Sequence, residues 1–111
     1  MKLYQGMGPN SYRVRIFMAE KGISLPMVDV DFAKGEHKAP EFLAVNSLGQ
    51  IPVLELDDGT IITESVAICR YLEETKREPQ LFGHDAVSRG KIEMWNRRAE
   101  LVILGTVGNV A

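Results

Sequence analysis

The sequence is poor in cysteine, carries a formal net charge of only −2 and contains no long apolar run. Its 111 residues include a single cysteine, Cys69, which excludes an internal disulfide framework, a CxxC redox pair and a cysteine-rich zinc site. The 13 Lys and Arg residues nearly balance the 15 Asp and Glu residues, so the chain has no basic field for nucleic acid. The apolar run Leu101–Leu104 is far too short to span a bilayer.

The N-terminus and the overall composition set the broad class. The first residues, MKLYQGMGPN, lack the apolar stretch of a secretory signal. Hydrophobic residues make up 45% of the chain and charged residues 25%, the proportions of an ordinary globular protein. We therefore expect a soluble, cytoplasmic protein of one-domain size, with no nucleic-acid partner and no membrane partner.

The first third of the chain predicts a strand, a helix and a second strand. Residues 2–5 form a short strand, which the following Gly and Pro residues stop. From Ser11 a helical period places Val14 on an apolar face, and Gly22 is well placed just past the helix end. The alternation over 27–32 predicts a half-buried strand. Because the two strands enclose a helix, we expect a right-handed parallel crossover.

The middle of the chain predicts a short helix, a hairpin and a second helix. A helix over 40–45 begins with a proline, which the first helical turn tolerates. Strands over 52–56 and 60–63 are joined through Asp-Asp-Gly, which is a tight-turn signal. Ser65 can cap a helix over 66–74. The buried side of that helix is expected to hold Ile68, Leu72 and Cys69.

The last part of the chain predicts a linker and one long helix. Residues 78–84 contain a Pro and a Gly without periodicity, which indicates a linker. Asp85 can cap a helix whose apolar stripe includes Ile92, Trp95, Ala99 and Val102, and which becomes apolar on several faces. Such a helix belongs inside a bundle. We therefore expect a domain over 1–77, a linker over 78–84 and the first helix of an incomplete helical domain over 85–111.

Three segments in this order resemble the N-terminal domain of the cytosolic glutathione transferases. They are PNSYRVRIFMAEKGI at 9–23, APEFLAVNSLGQIPVLE at 39–55 and TESVAICRYLEE at 63–74. The resemblance covers about residues 1–75 and implies an α/β, thioredoxin-like fold of order β-α-β-α-β-β-α. The linker and last helix look like the start of that family's all-α C-terminal domain. The implied ligand is glutathione, as a substrate, with no metal.

The resemblance assigns glutathione contacts to two residue pairs. It implies a cis Ile51-Pro52 bond whose Ile51 backbone groups pair with the cysteine backbone of glutathione; by itself the sequence permits an ordinary trans proline. It implies that Glu64 takes the α-ammonium of glutathione. Ser65 and the helix N-terminus would hold the neighbouring carboxylate, because helix N-termini attract anions. The simpler interpretation of Ser65 is an ordinary helix cap.

Two further positions match glutathione-contacting positions of the family. His37 matches a contact to the glycine end of glutathione, where it or Lys38 could face the terminal carboxylate, although a loop His-Lys pair is usually solvated. Gln50 matches a position that is often cationic in relatives, and its amide can still form hydrogen bonds. His84 lacks a second ligand at metal spacing, so we expect it at the surface.

The thiol-activating residue is sought in the loop before the first helix. The reactive form of glutathione is its thiolate, which needs a hydrogen-bond donor near a helix N-terminus. The position that holds Ser in some relatives is Gly8 here, and the position that holds Cys in others is Asn10. We rank Asn10 first and Ser11 second as the donor, the alternative being that both simply cap the helix. Cys69, among core positions, is expected to be structural.

The resemblance implies a glutathione transferase that activates the glutathione thiol for attack on a small electrophile. Two alternatives stay open, a glutathione-dependent disulfide-bond reductase and a non-catalytic, transferase-like interaction module. The last helix has too few apolar partners within 111 residues, and exposed apolar patches usually mark interfaces. We therefore expect a second copy of the chain, in a symmetric homodimer, or a further segment of the same protein to cover that helix.

Overall fold

Residues 1–100 are described by the structure, which is a computed structural model. This range contains four strands and four helices in the order β-α-β-α-β-β-α-α, with one short 3-10 turn at Glu36–Lys38 before the second helix. The strands are β1 (Lys2–Gln5), β2 (Met27–Asp29), β3 (Val53–Glu55) and β4 (Ile61–Thr63). The helices are α1 (Pro9–Lys21), α2 (Pro40–Val45), α3 (Ser65–Thr75) and α4 (Ala86–Arg98). This order confirms the predicted thioredoxin-like α/β domain followed by a further helix.

The four strands form one mixed sheet in the order β2-β1-β3-β4. β1 runs parallel to β2, with Leu3 beside Met27, and antiparallel to β3, with Leu3 beside Leu54. β4 returns antiparallel to β3 through the predicted tight turn. The parallel connection through α1 is confirmed, and it brings the end of β1 and the start of α1 to one edge of the sheet.

The second strand is shorter and more exposed than the alternation predicted. β2 ends at Asp29. The alternation over 27–32 implies that Val28, Val30 and Phe32 point inward, but only Val30 is buried, whereas Val28 and Phe32 are exposed. The physical reason is that β2 lies at the edge of the sheet, so it has a strand neighbour on one side only.

Helix α1 begins at Pro9, two residues before the predicted start. Proline favours the first helical position because its φ is already helical, and Gly8 supplies the extended turn before it with φ 124°. Asn10 and Ser11 therefore lie inside the first turn, where neither caps the helix. Gly22 ends the helix at φ 68°, as predicted.

Helix α3 begins at Ser65, so the prediction that Ser65 caps it is wrong. Glu64 occupies the cap position, and no side chain accepts a capping hydrogen bond there. Its buried residues include Ile68, Cys69 and Leu72, which confirms the predicted stripe. The free backbone N–H groups at the start of α3 are thus not covered by a local side chain.

The core lies on both faces of the sheet. Tyr4 and Val53 are register partners, and both pack with Phe42 of α2 on one face. Leu3 and Leu54 are also partners and point to the opposite face, because side chains alternate along a strand. Helices α1 and α3 pack against each other. Their fully buried residues include Val14, Ile68 and Leu72.

The described chain forms two compact units, one over Met1–Pro79 and one that begins at Gln80. In the second unit, Asp85 caps α4 through a reciprocal capping box with Ser88, which confirms the predicted helix start. Trp95 is 61% exposed. The expected apolar positions Leu101–Leu104, with Val102 among them, lie outside the described residues. No helix within 1–100 is long and apolar enough to cross a membrane.

Candidate functional site

A cavity of about 470 Å³ opens at the edge of the sheet beside the start of α1 and the start of α3. Six of the eight predicted site residues line it, namely Asn10, Gln50, Ile51, Pro52, Glu64 and Ser65. Segments far apart in sequence therefore meet in one place. Four further lining residues were not predicted, and these are Phe32, Asn46, Leu48 and Thr63.

The wall formed by Glu64 and Ser65 depends on an unusual backbone turn. Glu64 has φ 73°, and it is the one non-glycine residue with positive φ among residues 1–100. Non-glycine residues rarely adopt such angles, and they persist where the surrounding structure enforces them. The turn ends β4 at the cavity and starts α3 there. The positive end of the α3 dipole consequently lies at the cavity wall.

Ser65 is fixed at this wall by a cation from another helix. Ser65 is 5% exposed, and its Oγ accepts a hydrogen bond of 3.1 Å from the Arg13 guanidinium on α1. Arg13 lies one helical turn after Asn10 and therefore on a similar face of α1. That spacing is the sequence signal that could have included Arg13 in the predicted site.

Ile51 and Pro52 line the cavity beside this wall, because Val53 of β3 pairs with Thr63 of β4. The peptide bond between Ile51 and Pro52 is cis. The ladder between β1 and β3 starts at Val53, so the Ile51 N–H and C=O take no part in it. These backbone groups therefore lie beyond the end of a strand and beside the cavity.

The loop before Ile51 is held in place by a buried amide. Asn46 donates from its side chain to the Gln50 carbonyl at 2.9 Å and accepts from the Leu48 N–H at 3.2 Å. Gly49 lies in this loop at φ 66°, where an added Cβ would lie 2.9 Å from the His37 carbonyl oxygen. Close approach and positive φ both favour glycine at this position.

His37 is placed behind the cavity wall instead of on it. Its ring packs on Phe32, with the ring centroids 4.0 Å apart, and Phe32 lines the cavity. The Nδ1 atom of His37 is buried without a hydrogen-bond partner in the described structure. His37 thus lies close to the site, but the geometry gives no direct contact with the cavity.

The two residues proposed to activate a thiol occupy different environments. Asn10 lines the cavity. Ser11 is 2% exposed, and its Oγ accepts a hydrogen bond of 3.3 Å from the Gly6 N–H in the loop between β1 and α1. The Ser11 hydroxyl therefore supports that loop, whereas Asn10 is a lining residue of the cavity.

Cys69 is in the core, as the sequence predicted. Burial raises the pKa of its thiol to about 11, and the positive charge of Arg13 opposes that rise. A buried thiol with a raised pKa is a poor nucleophile at neutral pH. In residues 1–100 no group of three or more His, Cys, Asp or Glu side chains could hold a metal ion.

Comparison with known proteins places this geometry in a family. The model of the glutathione S-transferase N-terminal domain matches residues 1–74. Glutathione S-transferase 2 of Saccharomyces cerevisiae is 49% identical over 102 residues, which are 90% of this chain and 44% of that protein.

Solved structures agree with the sequence comparison. A glutathione S-transferase domain-containing protein from Marinobacter aquaeolei is 44% identical, with a TM-score of 0.89 over 97% of this chain and 54% of its own. A glutathione transferase homologue from Sulfitobacter, solved with bound glutathione, is 30% identical, with a TM-score of 0.82 over 89% of this chain and 48% of its own. The chain spans about half the length of these relatives. By sequence and by fold, the chain belongs to the glutathione S-transferase family and carries its N-terminal domain.

Proposed function

We propose that the protein binds glutathione in the described cavity and activates its thiol for attack on an electrophile. The observation that carries the proposal is the meeting of the α3 N-terminus, Ser65 and the free backbone of Ile51 in one cavity. A helix N-terminus with a hydroxyl donor suits a carboxylate, and an unpaired strand end suits a peptide backbone. Glutathione carries both groups.

Each wall then has a partner in the ligand. Ser65 and the first N–H groups of α3 bind the α-carboxylate of the γ-glutamyl residue, and Glu64 binds the neighbouring ammonium. The Ile51 N–H and C=O pair with the cysteine backbone of glutathione. Gln50 donates to the terminal glycine carboxylate, with His37 supporting that end from behind Phe32. The exposure of Glu64 and the position of Gln50 on the cavity wall support this orientation.

Asn10 is the proposed donor to the glutathione sulfur. A thiol with the ordinary pKa of about 8.5 is mostly protonated at neutral pH, so a donor that favours the thiolate increases the reactive fraction. The position of Asn10 on the cavity wall, in the first turn of α1, supports this role. Ser11 contributes by holding the loop through Gly6. The thiolate forms a C–S bond with the electrophile, whose leaving group departs with the bonding electron pair.

Calorimetry with reduced glutathione tests the binding site. Ser65→Ala should weaken binding by about tenfold, because it removes a hydrogen bond to a charged group. Ser24→Ala, at an exposed serine outside the cavity, is the matched control and should bind as the wild type does. If glutathione produces no binding heat with the wild type, or if the folded Ser65→Ala variant binds equally well, the proposal is wrong.

A pH–rate series tests the thiol donor. Conjugation of glutathione to a chlorodinitrobenzene should slow in Asn10→Ala, and the apparent pKa of bound glutathione should rise, because the thiolate loses its donor. Cys69→Ala is the control and should retain the activity, since Cys69 lies in the core. Activity lost in Cys69→Ala but retained in Asn10→Ala would refute the assignment.

Assembly as a homodimer and a cytoplasmic location complete the proposal. Val87 and Trp95 of α4 are 66% and 61% exposed, and large apolar side chains of this kind are usually covered in an assembled protein. The cytoplasm keeps thiols reduced, which a glutathione-dependent reaction requires. Light scattering across a dilution series should show a dimer. A monomer at all concentrations would remove this part of the proposal.

A further inference from the structure

The hydrogen bond between Arg13 and Ser65 can have only one donor. Its guanidinium lies on α1, and Nη1 is 3.1 Å from Ser65 Oγ at the start of α3. Arginine has donors only, so the serine oxygen must be the acceptor. The Ser65 hydroxyl proton is consequently directed away from Arg13.

The space available to that proton is the cavity. Ser65 is 5% exposed, and its remaining open side lines the cavity beside Glu64. A hydroxyl that accepts from a cation becomes a stronger donor, because linked hydrogen bonds polarise one another. A carboxylate placed there also meets the positive end of the α3 dipole.

We infer that Arg13 is a positioning residue for the α-carboxylate of the ligand: through its hydrogen bond to Ser65 Oγ it turns the hydroxyl into a dedicated donor facing the cavity. The inference rests on the proposed glutathione site and adds a residue outside the cavity lining to it. Helix α1 then contributes two residues to the site, Asn10 at the sulfur end of the ligand and Arg13 behind its carboxylate end.

The test compares two ligands in the intact protein. Reduced glutathione is one, and the other is γ-aminobutyryl-cysteinylglycine, which keeps the amine and lacks the α-carboxylate. Arg13→Met should weaken binding of glutathione by about tenfold, the effect of a lost hydrogen bond that involves a charged group. Binding of the analogue should change by less than about twofold, because the group that Ser65 serves is absent.

Matched variants separate positioning from general packing. Arg15→Met removes the other arginine of α1, which pairs with Gln5, and should leave the ratio of the two affinities unchanged. Arg13→Lys keeps a charged donor and should restore most of the ratio. In a Ser65→Ala background, Arg13→Met should have little further effect on the ratio, because both residues act through one hydroxyl.

The outcomes distinguish this inference from the proposed function. If the wild type binds glutathione and Arg13→Met weakens both ligands equally, Arg13 has only a structural role and the inference is overturned. Absence of glutathione binding by the wild type overturns the proposed function and the inference with it. Should Arg13→Met fail to fold, Arg13→Leu, which also lacks a donor, replaces it, and a ratio equal to that of the wild type overturns the inference.

Discussion

Lys21 and Glu73 form a buried ion pair whose disruption should destabilise the first unit strongly. Lys21 is the last residue of α1, and its side chain is completely buried. Its Nζ lies 2.5 Å from a Glu73 carboxylate oxygen on α3 and donates to the Pro79 carbonyl at 2.6 Å. The perturbation we choose is Lys21→Met, which keeps the length of the stem and removes the charge.

The size of the effect follows from burial. Lys21→Met leaves the Glu73 carboxylate, whose side chain is 10% exposed, without this cation. Removing one partner of a buried pair typically costs about 3–5 kcal/mol, whereas replacing both with apolar residues is often neutral. Since a small domain is stable by about 5–15 kcal/mol, the single change would remove a large fraction of that stability.

Urea unfolding followed by circular dichroism measures this loss. A midpoint lower by about 1–3 M is expected for Lys21→Met, and Lys21→Met with Glu73→Leu should recover most of it. Arg77→Met is the control, because it breaks the exposed 2.9 Å pair with Glu74 and should cost less than about 1 kcal/mol. A Lys21→Met loss as small as that of Arg77→Met would refute the reasoning from burial.

Two further predictions concern Cys69 and Gly49. Burial raises the pKa of the Cys69 thiol to about 11, so the unfolded chain ionises it at lower pH than the folded chain does. The free energy of unfolding should therefore fall as the pH rises from about 9 towards 11. Urea unfolding at several pH values should show a smaller fall for Cys69→Ala, and the same dependence on pH in both proteins would contradict this. Gly49→Ala should destabilise by about 1–2 kcal/mol and weaken glutathione binding, since the residue has φ 66° and approaches the His37 carbonyl. Gly59→Ala, at φ 90° with open space around the added Cβ, should lower stability without weakening glutathione binding. If calorimetry shows that Gly49→Ala and Gly59→Ala weaken glutathione binding equally, the argument is contradicted.

Much of the fold was predictable because its signals are local. The end of α1 at Gly22 and the cap of α4 at Asp85 each depend on residues within one turn of the helix. The start of α3 was predicted one residue late, because a polar residue before an apolar stripe is normally a cap. Glu64 at positive φ takes that position instead, and no sequence pattern indicates such an angle for glutamate.

The site residues that lie in a sequence motif could be predicted. Those that reach the site only through tertiary contacts could not. Ile51, Pro52 and Ser65 lie in segments that resemble the family, and they meet in the cavity. Arg13 was not among the predicted site residues, because its spacing from Asn10 is the only local signal and its hydrogen bond to Ser65 joins two helices that are distant in sequence. Lys21 is a comparable case, because its burial depends on Glu73, which is distant in sequence.

At position 64, a substitution that relieves the backbone strain would stabilise the fold but weaken ligand recognition. A non-glycine residue in a sparsely populated conformation costs about 1–3 kcal/mol, and glycine would take φ 73° without that cost. A laboratory selection for heat resistance alone would consequently favour glycine at position 64. The acidic group proposed to recognise an ammonium would then be lost while the fold improved. Any library meant to thermostabilise this protein should keep that codon fixed.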